Sequence, residues 1–302
     1  MSERNKTLTL SPEEIEYYAS KSTEISAKSQ NIENKILMQD SIKAMDFIPD
    51  DFADLIITDP PYNLTKNFGT QTFREMKDDE YLIWLDSWIS KLPRILKDNG
   101  SLYICSDWKT SVLIPLVAGK YFSLQNRISW EREKGRSCAK NWKNCLEDIW
   151  FFTKSNNYKF NLNSVKICRE VIAPYRNNEG KAKDWFEKNG KKFRMTSPSN
   201  IWTDISVPFW SMSENTPHPT QKPEKLIAKL ILASSDEKDM VFDPFAGSGT
   251  TCVVAKKLGR RYLGIEREKE YAAIAEKRLE IAEQDRHIQG YENGFFKPRN
   301  LG

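Results

Sequence analysis

Short apolar runs that end in acidic or small residues punctuate the chain from Lys35 onward: KILMQD (35–40), DLIITD (54–59), SLYICS (101–106), ISWE (128–131) and DIWFFTK (148–154). Runs this short and this apolar predict strands, several of them buried on both faces. Between the second and third, the spacing changes to a helical period over 79–97, with Asp98-Asn99-Gly100 predicted to stop the helix and turn the chain. The alternation returns toward the carboxyl end, with helices predicted over 223–235, 250–258 and 268–283 and strands at MVFDPF (240–245) and YLGIE (262–266). Strands alternating with helices predict a parallel sheet. Within the polar residues 1–30, Ser11-Pro12-Glu13-Glu14 offers a serine cap, a first-turn proline and a glutamate three residues after the cap, which predicts one short peripheral helix. Residues 131–147 and 155–216 break the rhythm. Rich in Asn, Lys, Arg, Ser and Trp and without clear period, they read as a separate lobe or a set of long functional loops.

At 302 residues and 39% hydrophobic content, the chain can bury one large core, with or without a smaller lobe. No stretch reaches the roughly 18–20 consecutive apolar residues of a membrane span, and the opening MSERNKTLTLSPEE is too polar for a signal peptide. A membrane partner is therefore not expected, and the expected location is the cytoplasm. Cys105, Cys138, Cys145, Cys168 and Cys252 form no Cys-x-x-Cys pair and no even framework, as befits reduced thiols. With His218 and His287 the only histidines, neither a zinc site nor a histidine triad is expected. The formal charge of +4 conceals a segregation: residues 131–200 hold 16 Lys and Arg against 8 Asp and Glu, so the remainder is net negative. Such a segment is either a footprint for a polyanion or a solvated, lysine-rich insertion.

Two short motifs carry chemistry. In the first, the strand 240–245 leads into Phe245-Ala246-Gly247-Ser248-Gly249-Thr250, then a helix, then a strand ending at Glu266. A doubly wound sheet builds a nucleoside pocket in this way: Gly247 and Gly249 let backbone approach a ligand, and Glu266 accepts hydrogen bonds from both ribose hydroxyls. Cys252 stands where a dinucleotide fingerprint has its third glycine, and no Gly-Lys-Ser/Thr follows, which disfavours NAD and ATP. Alone, a Gly-x-Gly turn is weak, since an ordinary tight turn has the same residues.

The second motif, Asp59-Pro60-Pro61-Tyr62-Asn63-Leu64, directly follows the strand DLIIT. The exocyclic amino group of adenine is a poor nucleophile because its lone pair is delocalised into the ring. A carboxylate such as Asp59, together with a backbone carbonyl presented by the rigid prolines, can accept both amino hydrogens and draw the lone pair toward a methyl donor. Tyr62 offers a flat face for an extruded base, worth about 1–3 kcal/mol of stacking. No Pro-Cys dipeptide occurs, so the nucleophile for attack on a cytosine ring carbon has no candidate.

Together these motifs resemble the amino-methylating DNA methyltransferases, and the order of catalytic turn, basic segment and cofactor turn resembles the β group of that family. The resemblance covers about residues 32–130 and 214–283. It implies S-adenosylmethionine as cofactor and an α/β fold with a doubly wound, mostly parallel seven-stranded sheet of permuted order. It assigns Asp59, Pro60, Pro61 and Tyr62 to catalysis. Phe245 to Thr250, Asp243, Glu266, Lys222 and Pro223 of His218-Pro219-Thr220-Gln221-Lys222-Pro223, and Asp40 of Gln39-Asp40 fall to the cofactor; Asp40 reads equally as a helix cap. His218 reads as a turn residue. Trp130, Trp142, Glu147 and Trp202 match family positions only loosely and read as core aromatics and a solvated acid.

The implied layout is a helical extension (1–30), a catalytic half (31–130), a target-recognition region (131–216, including the last sheet strand near 148–154), a cofactor half (217–285) and a tail (286–302). Lys134, Arg136 and Lys140 are expected DNA-backbone contacts or part of a flexible surface loop. Members of the group imply a homodimer and, for a restriction-modification pair, a cognate endonuclease on another chain. Adenine N6 is favoured as the target because the family's cytosine-N4 enzymes more often carry serine at the position of Asp59. Cytosine N4, an amino group in RNA, or a catalytically silent nucleic-acid binder are the alternatives. A nicotinamide oxidoreductase would leave Asp59 unexplained.

Overall fold

A computed structural model describes residues 4–28, 30–132, 139–171, 176–181, 184–188 and 190–296. The predicted strands are present as β1 (Lys35–Leu37), β2 (Ala53–Thr58), β3 (Leu96–Asp107), β4 (Ser123–Glu131) and β5 (Leu146–Thr153), followed by β6 (Ile201–Trp202), β7 (Met240–Asp243) and β8 (Arg261–Ile265). They form one sheet in the order β1-β8-β7-β2-β3-β5-β4-β6. Within it β1, β8, β7, β2 and β3 run parallel, and β5 is antiparallel to both its neighbours. The sheet has eight strands where seven were expected. The extra one is the two-residue edge strand β6, parallel to β4 and drawn from the stretch without period.

Helices cover both faces. Alternate residues of β2 divide between them: Leu55 and Ile57 pack with α6 (Glu224–Ser234), α7 (Thr250–Lys257) and α8 (Lys269–Gln284), while Ile56 packs with α3 (Asp78–Ile89), α4 (Leu92–Ile95) and α5 (Ile114–Ala118). Burial on both faces is why β2 reads as a continuous apolar run. Two short helices complete the set. The first, α1 (Pro12–Ala19), has the predicted capping box and lies on α8, and α2 (Ser41–Ala44) is capped by Asp40.

The helix predicted over 79–97 is broken. Pro93 cannot donate to the ladder and crowds the carbonyl four residues back, so α3 ends at Ile89, a four-residue α4 follows, and β3 begins at Leu96. Asp98-Asn99-Gly100 lies inside β3, not at a helix end: the register jumps from Ala53↔Leu96 to Leu55↔Ser101, which makes these residues a bulge. Residues 155–216 are also more ordered than their pattern predicts. They contain a small antiparallel sheet of Ile167–Glu170, Lys191–Thr196 and Phe186–Lys188; the strands Ile167–Glu170 and Lys191–Thr196 have no fully buried position and so show no apolar alternation. Among the described residues no helix is long and apolar enough to cross a membrane.

Candidate active site

Because β1, β8, β7 and β2 are adjacent and parallel, the segments after their carboxyl ends converge: Asp40, Glu266, the glycine turn and the Asp59 turn meet at one rim. There they enclose a cavity of about 290 Å³. Its lining includes Asp40, Asp59, Pro60, Pro61, Tyr62, Lys222, Asp243, Phe245 to Ser248, Thr250 and Glu266. Gly249 and Pro223 are not among the lining residues. Gly249, at φ +76°, caps α7 and lies so close to α8 that a Cβ would meet Ala275 Cβ at 2.6 Å. Pro223 caps α6.

The glycine turn differs from expectation in what its glycines avoid. At Gly247, φ +53°, a side chain would strike His218 Nε2 at 2.8 Å, so here, as at Gly249, the steric limit is protein and not ligand space. The third glycine missing at Cys252 is supplied from the strand side: a Cβ on Gly264 of β8 would lie 2.7 Å from Cys252 Sγ, which is how α7 packs close to the sheet. Glu266 Oε2 accepts from Gly247 N (2.9 Å) and Oε1 from Glu268 N (2.8 Å), leaving each oxygen a second lone pair. Burial raises the pKa of Glu266 and pushes that of Asp243 up to about 7. Asp40 does both things its sequence allowed: its Oδ1 accepts from Lys43 N (3.1 Å) as a helix cap, and the residue lines the cavity.

Asp59, at the end of β2, is held by two donors. Its Oδ1 accepts from the Tyr62 hydroxyl (2.6 Å) and its Oδ2 from Lys222 Nζ (2.6 Å). Lys222 is 6% exposed, and its ammonium also lies 3.3 Å from Glu147 Oε2. Burial alone would lower its pKa, but the negative charges of Asp59 and Glu147 outweigh burial and raise it. Burial, then the Asp59 charge, drives the Tyr62 phenol well above its ordinary range, so the hydroxyl stays a donor. The Tyr62 ring, expected as an open stacking face, has Lys222 Nζ 5.4 Å from its centroid. The Pro61 carbonyl is already taken by the Tyr81 hydroxyl (2.8 Å).

Two features escaped the sequence, and a third, His218, belongs to a segment that the resemblance assigns to the cofactor pocket although the residue itself reads as a turn. Glu147, read there as a solvated acid, is 4% exposed near the start of β5, with Lys222 Nζ on one oxygen at 3.3 Å and Arg132 Nη1 on the other at 2.6 Å. The only signal was an acid at the head of an apolar run. His218 is a wall residue as well as a turn residue, its ring centroid 4.5 Å from that of Tyr271; burial, with Lys222 and Lys66 adding, pushes its pKa down to about 3 and holds it neutral. A hairpin of Lys66–Phe68 and Gln71–Phe73 reaches across the cavity, and its tip is tied by Thr70 N and Oγ1 to Glu268 Oε2 (2.9 and 2.8 Å).

Of the loosely matched tryptophans, Trp130 and Trp202 are buried as expected, whereas Trp142 is 92% exposed in the basic segment. That segment leaves and returns at the cavity: Arg132 and Asn144 both line it, and Arg132 N donates to Cys145 O (2.7 Å). Lys140 is exposed and away from the cavity; Lys134 and Arg136 lie outside the described residues.

A doubly wound sheet with a nucleoside-sized cavity between a glycine turn and a carboxylate turn defines a methyltransferase of the S-adenosylmethionine-dependent kind. More narrowly, the chain belongs to the DNA methylase family of N6 and N4 amino-methyltransferases, whose model matches residues 53–277. It is 34% identical over 274 residues to the DNA adenine methyltransferase YhdJ of Escherichia coli, covering 88% of each chain. It is 34% identical over 254 residues to the type II methyltransferase M.HpaI of Haemophilus parainfluenzae, covering 82% of this chain and 75% of that one. The fold is shared with the cytosine-N4-specific PvuII DNA methyltransferase (TM-score 0.59, 18% identity, 81% and 86% coverage). It is also shared with a Thermus thermophilus protein solved with S-adenosyl-L-methionine (TM-score 0.57, 22% identity, 82% and 93% coverage).

Proposed function

We propose that the chain methylates the N6 amino group of adenine in DNA, on a base extruded from the helix into the cavity beside Asp59. The observation that carries this reading is the Asp59 carboxylate itself, which lines the cavity at the end of β2 beside the turn that follows β7, with one oxygen anchored by Lys222 and the other held by a displaceable hydroxyl. S-adenosylmethionine, when bound, supplies a methyl group activated by its sulfonium. Glu266 is placed to hold the ribose, Asp40 the adenine end, and the turn 245–250 with Asp243 and Lys222 the remainder. Asp59 Oδ1 and the Pro60 carbonyl accept the two amino hydrogens, draw the nitrogen lone pair out of the ring, and Asp59 receives the proton the methylated nitrogen sheds. Asp in place of serine and the likeness to a protein named as an adenine methyltransferase favour adenine.

The region 131–216 is the target reader in this account, the endonuclease of the pair is a separate chain acting on the same site, the protein pairs as a homodimer, and its place is the cytoplasm. The test is incubation with tritiated S-adenosylmethionine and unmethylated bacterial DNA beside Asp59→Ala, followed by nucleoside analysis. Label in N6-methyladenine that is lost by at least about a hundredfold in the variant is expected. Label in N4-methylcytosine would replace adenine by cytosine, and none in duplex or single-stranded DNA would overturn the DNA reading.

A further inference from the structure

The catalytic turn and the cofactor turn account for Asp59, Tyr62 and Lys222, but not for the buried carboxylate beneath them. Glu147 Oε2 lies 3.3 Å from Lys222 Nζ and 3.3 Å from the Tyr62 hydroxyl; Oε1 is held by Arg132 Nη1. Resting on the reading of Asp59 as the acceptor of a substrate amino group, we propose that Glu147 is a positioning residue: it pins the Lys222 ammonium on Asp59 Oδ2 and receives the Tyr62 hydroxyl when an amino group displaces it from Oδ1.

An amino group can use Oδ1 only if the Tyr62 hydroxyl, now 2.6 Å away, leaves it. A buried hydroxyl without an acceptor is costly, and Glu147 Oε2 is within its reach without movement of the backbone. Oδ2, meanwhile, must stay occupied, or the carboxylate is free to rotate. Lys222 does this from a site where an ammonium is poorly solvated, and a single carboxylate beside a buried ammonium leaves the pair vulnerable to neutralisation. Glu147 is the second carboxylate. Arg132 fixes its orientation, so that the chain of contacts runs Arg132, Glu147, Lys222, Asp59. The charged and titratable groups facing Lys222 are Asp59 and Tyr62 after β2, Glu147 on β5, Cys105 on β3, Arg132 after β4, Lys66 on the hairpin and His218 on its own segment. Of the carboxylates among them, only Glu147 is not already assigned to the substrate.

Glu147→Gln keeps the size and hydrogen-bonding reach of the side chain while removing its charge. Measured in the full chain, single-turnover methyl transfer should fall about tenfold or more, with S-adenosylmethionine affinity within about threefold of wild type. Because the charge of Glu147 helps hold Lys222 protonated, the variant should also lose rate at lower pH than wild type as pH rises, over a range where the wild-type profile stays flat. Glu147→Asp, which restores the charge, should recover most of the rate and the flat profile. A reading independent of activity is trace acetylation of Lys222 followed by peptide mass spectrometry: Lys222 should become reactive at lower pH in Glu147→Gln than in wild type. Identical labelling in the two overturns the proposal, as does a rate loss shared equally by Gln and Asp with an unchanged pH profile. A wild-type chain that transfers no methyl to DNA overturns the functional reading instead, and the labelling still decides whether Glu147 governs Lys222.

Discussion

Single residues in this site do more than one job, and their environments decide which. Asp243 is a case. Buried at the end of β7, it accepts from Phe245 N (3.0 Å), yet burial, together with the charges of Asp59 and Glu266, pushes its pKa up to about 7 from an ordinary 3.8. A carboxyl whose folded pKa is raised favours the folded state most when neutral; that contribution is fully present below about pH 3.8 and is lost as pH rises through about 7. Asp243→Asn, neutral at all pH, lacks this loss. Thermal or urea unfolding without cofactor should therefore show the variant gaining on wild type by up to about 1.4 kcal/mol per pH unit between about pH 4 and 7. A pH-independent gap would mean the acid does not titrate in place. The sequence disclosed Asp59, Gly247 and Glu266 because a strand end followed by a rigid or glycine turn is a local signal. It hid Glu147, since nothing in LEDIWFFT says that the first of its two acids meets Lys222 seventy-five positions away.

Elements were legible where period and punctuation agreed and misread where they did not. The helices α6, α7 and α8 have one buried stripe each or more, and their predicted limits differ from those found by a residue or so. The stretch 79–97 kept a helical period through Pro93, but a proline overrides period, and two helices and a strand share it. The hairpin 66–73 had no signal at all, being neither apolar nor alternating, and its place is fixed from outside by Glu268 and by Gly69 N donating to the Tyr271 hydroxyl (3.2 Å). It crosses the cavity, with Lys66, Phe68 and Phe73 on its wall. Cutting the tie should loosen the hairpin and leave the floor intact. Glu268→Ala removes two hydrogen bonds to a buried carboxylate, each worth about 1.5–3 kcal/mol. Stopped-flow measurement should then show S-adenosylmethionine leaving about tenfold faster or more, with methyl transfer from the bound complex reduced less. Unchanged dissociation would remove the hairpin from the cofactor's exit path.

For the whole molecule, the permuted order of motifs is reconciled by the sheet. Strands β7 and β8, late in the chain, insert between β1 and β2, early in it, and so place a cofactor turn beside a carboxylate turn some 185 positions earlier. Adjacency of β7 and β2 was deducible only through the resemblance, since periodicity identifies strands but not their neighbours. Charge follows the same division: the stretch 131–200, with twice as many basic as acidic residues, begins and ends its loop at the cavity rim through Arg132 and Asn144, while the rest of the chain is net negative. If this stretch neutralises DNA phosphates, binding must release their counterions, and affinity must fall with salt at about 0.9 log unit per log unit of salt for each phosphate contacted. Fluorescence anisotropy on duplex DNA between about 50 and 200 mM salt measures that slope. Lys140→Ala, at an exposed position of the loop, should lower it by about one, whereas Lys120→Ala, outside the basic stretch and paired with Asp86 (3.3 Å), should not. Cofactor binding, made inside the cavity, should be nearly indifferent to salt in both variants. Equal slopes for wild type and Lys140→Ala would place the DNA-binding charge elsewhere and reduce this loop to a solvated, lysine-rich insertion.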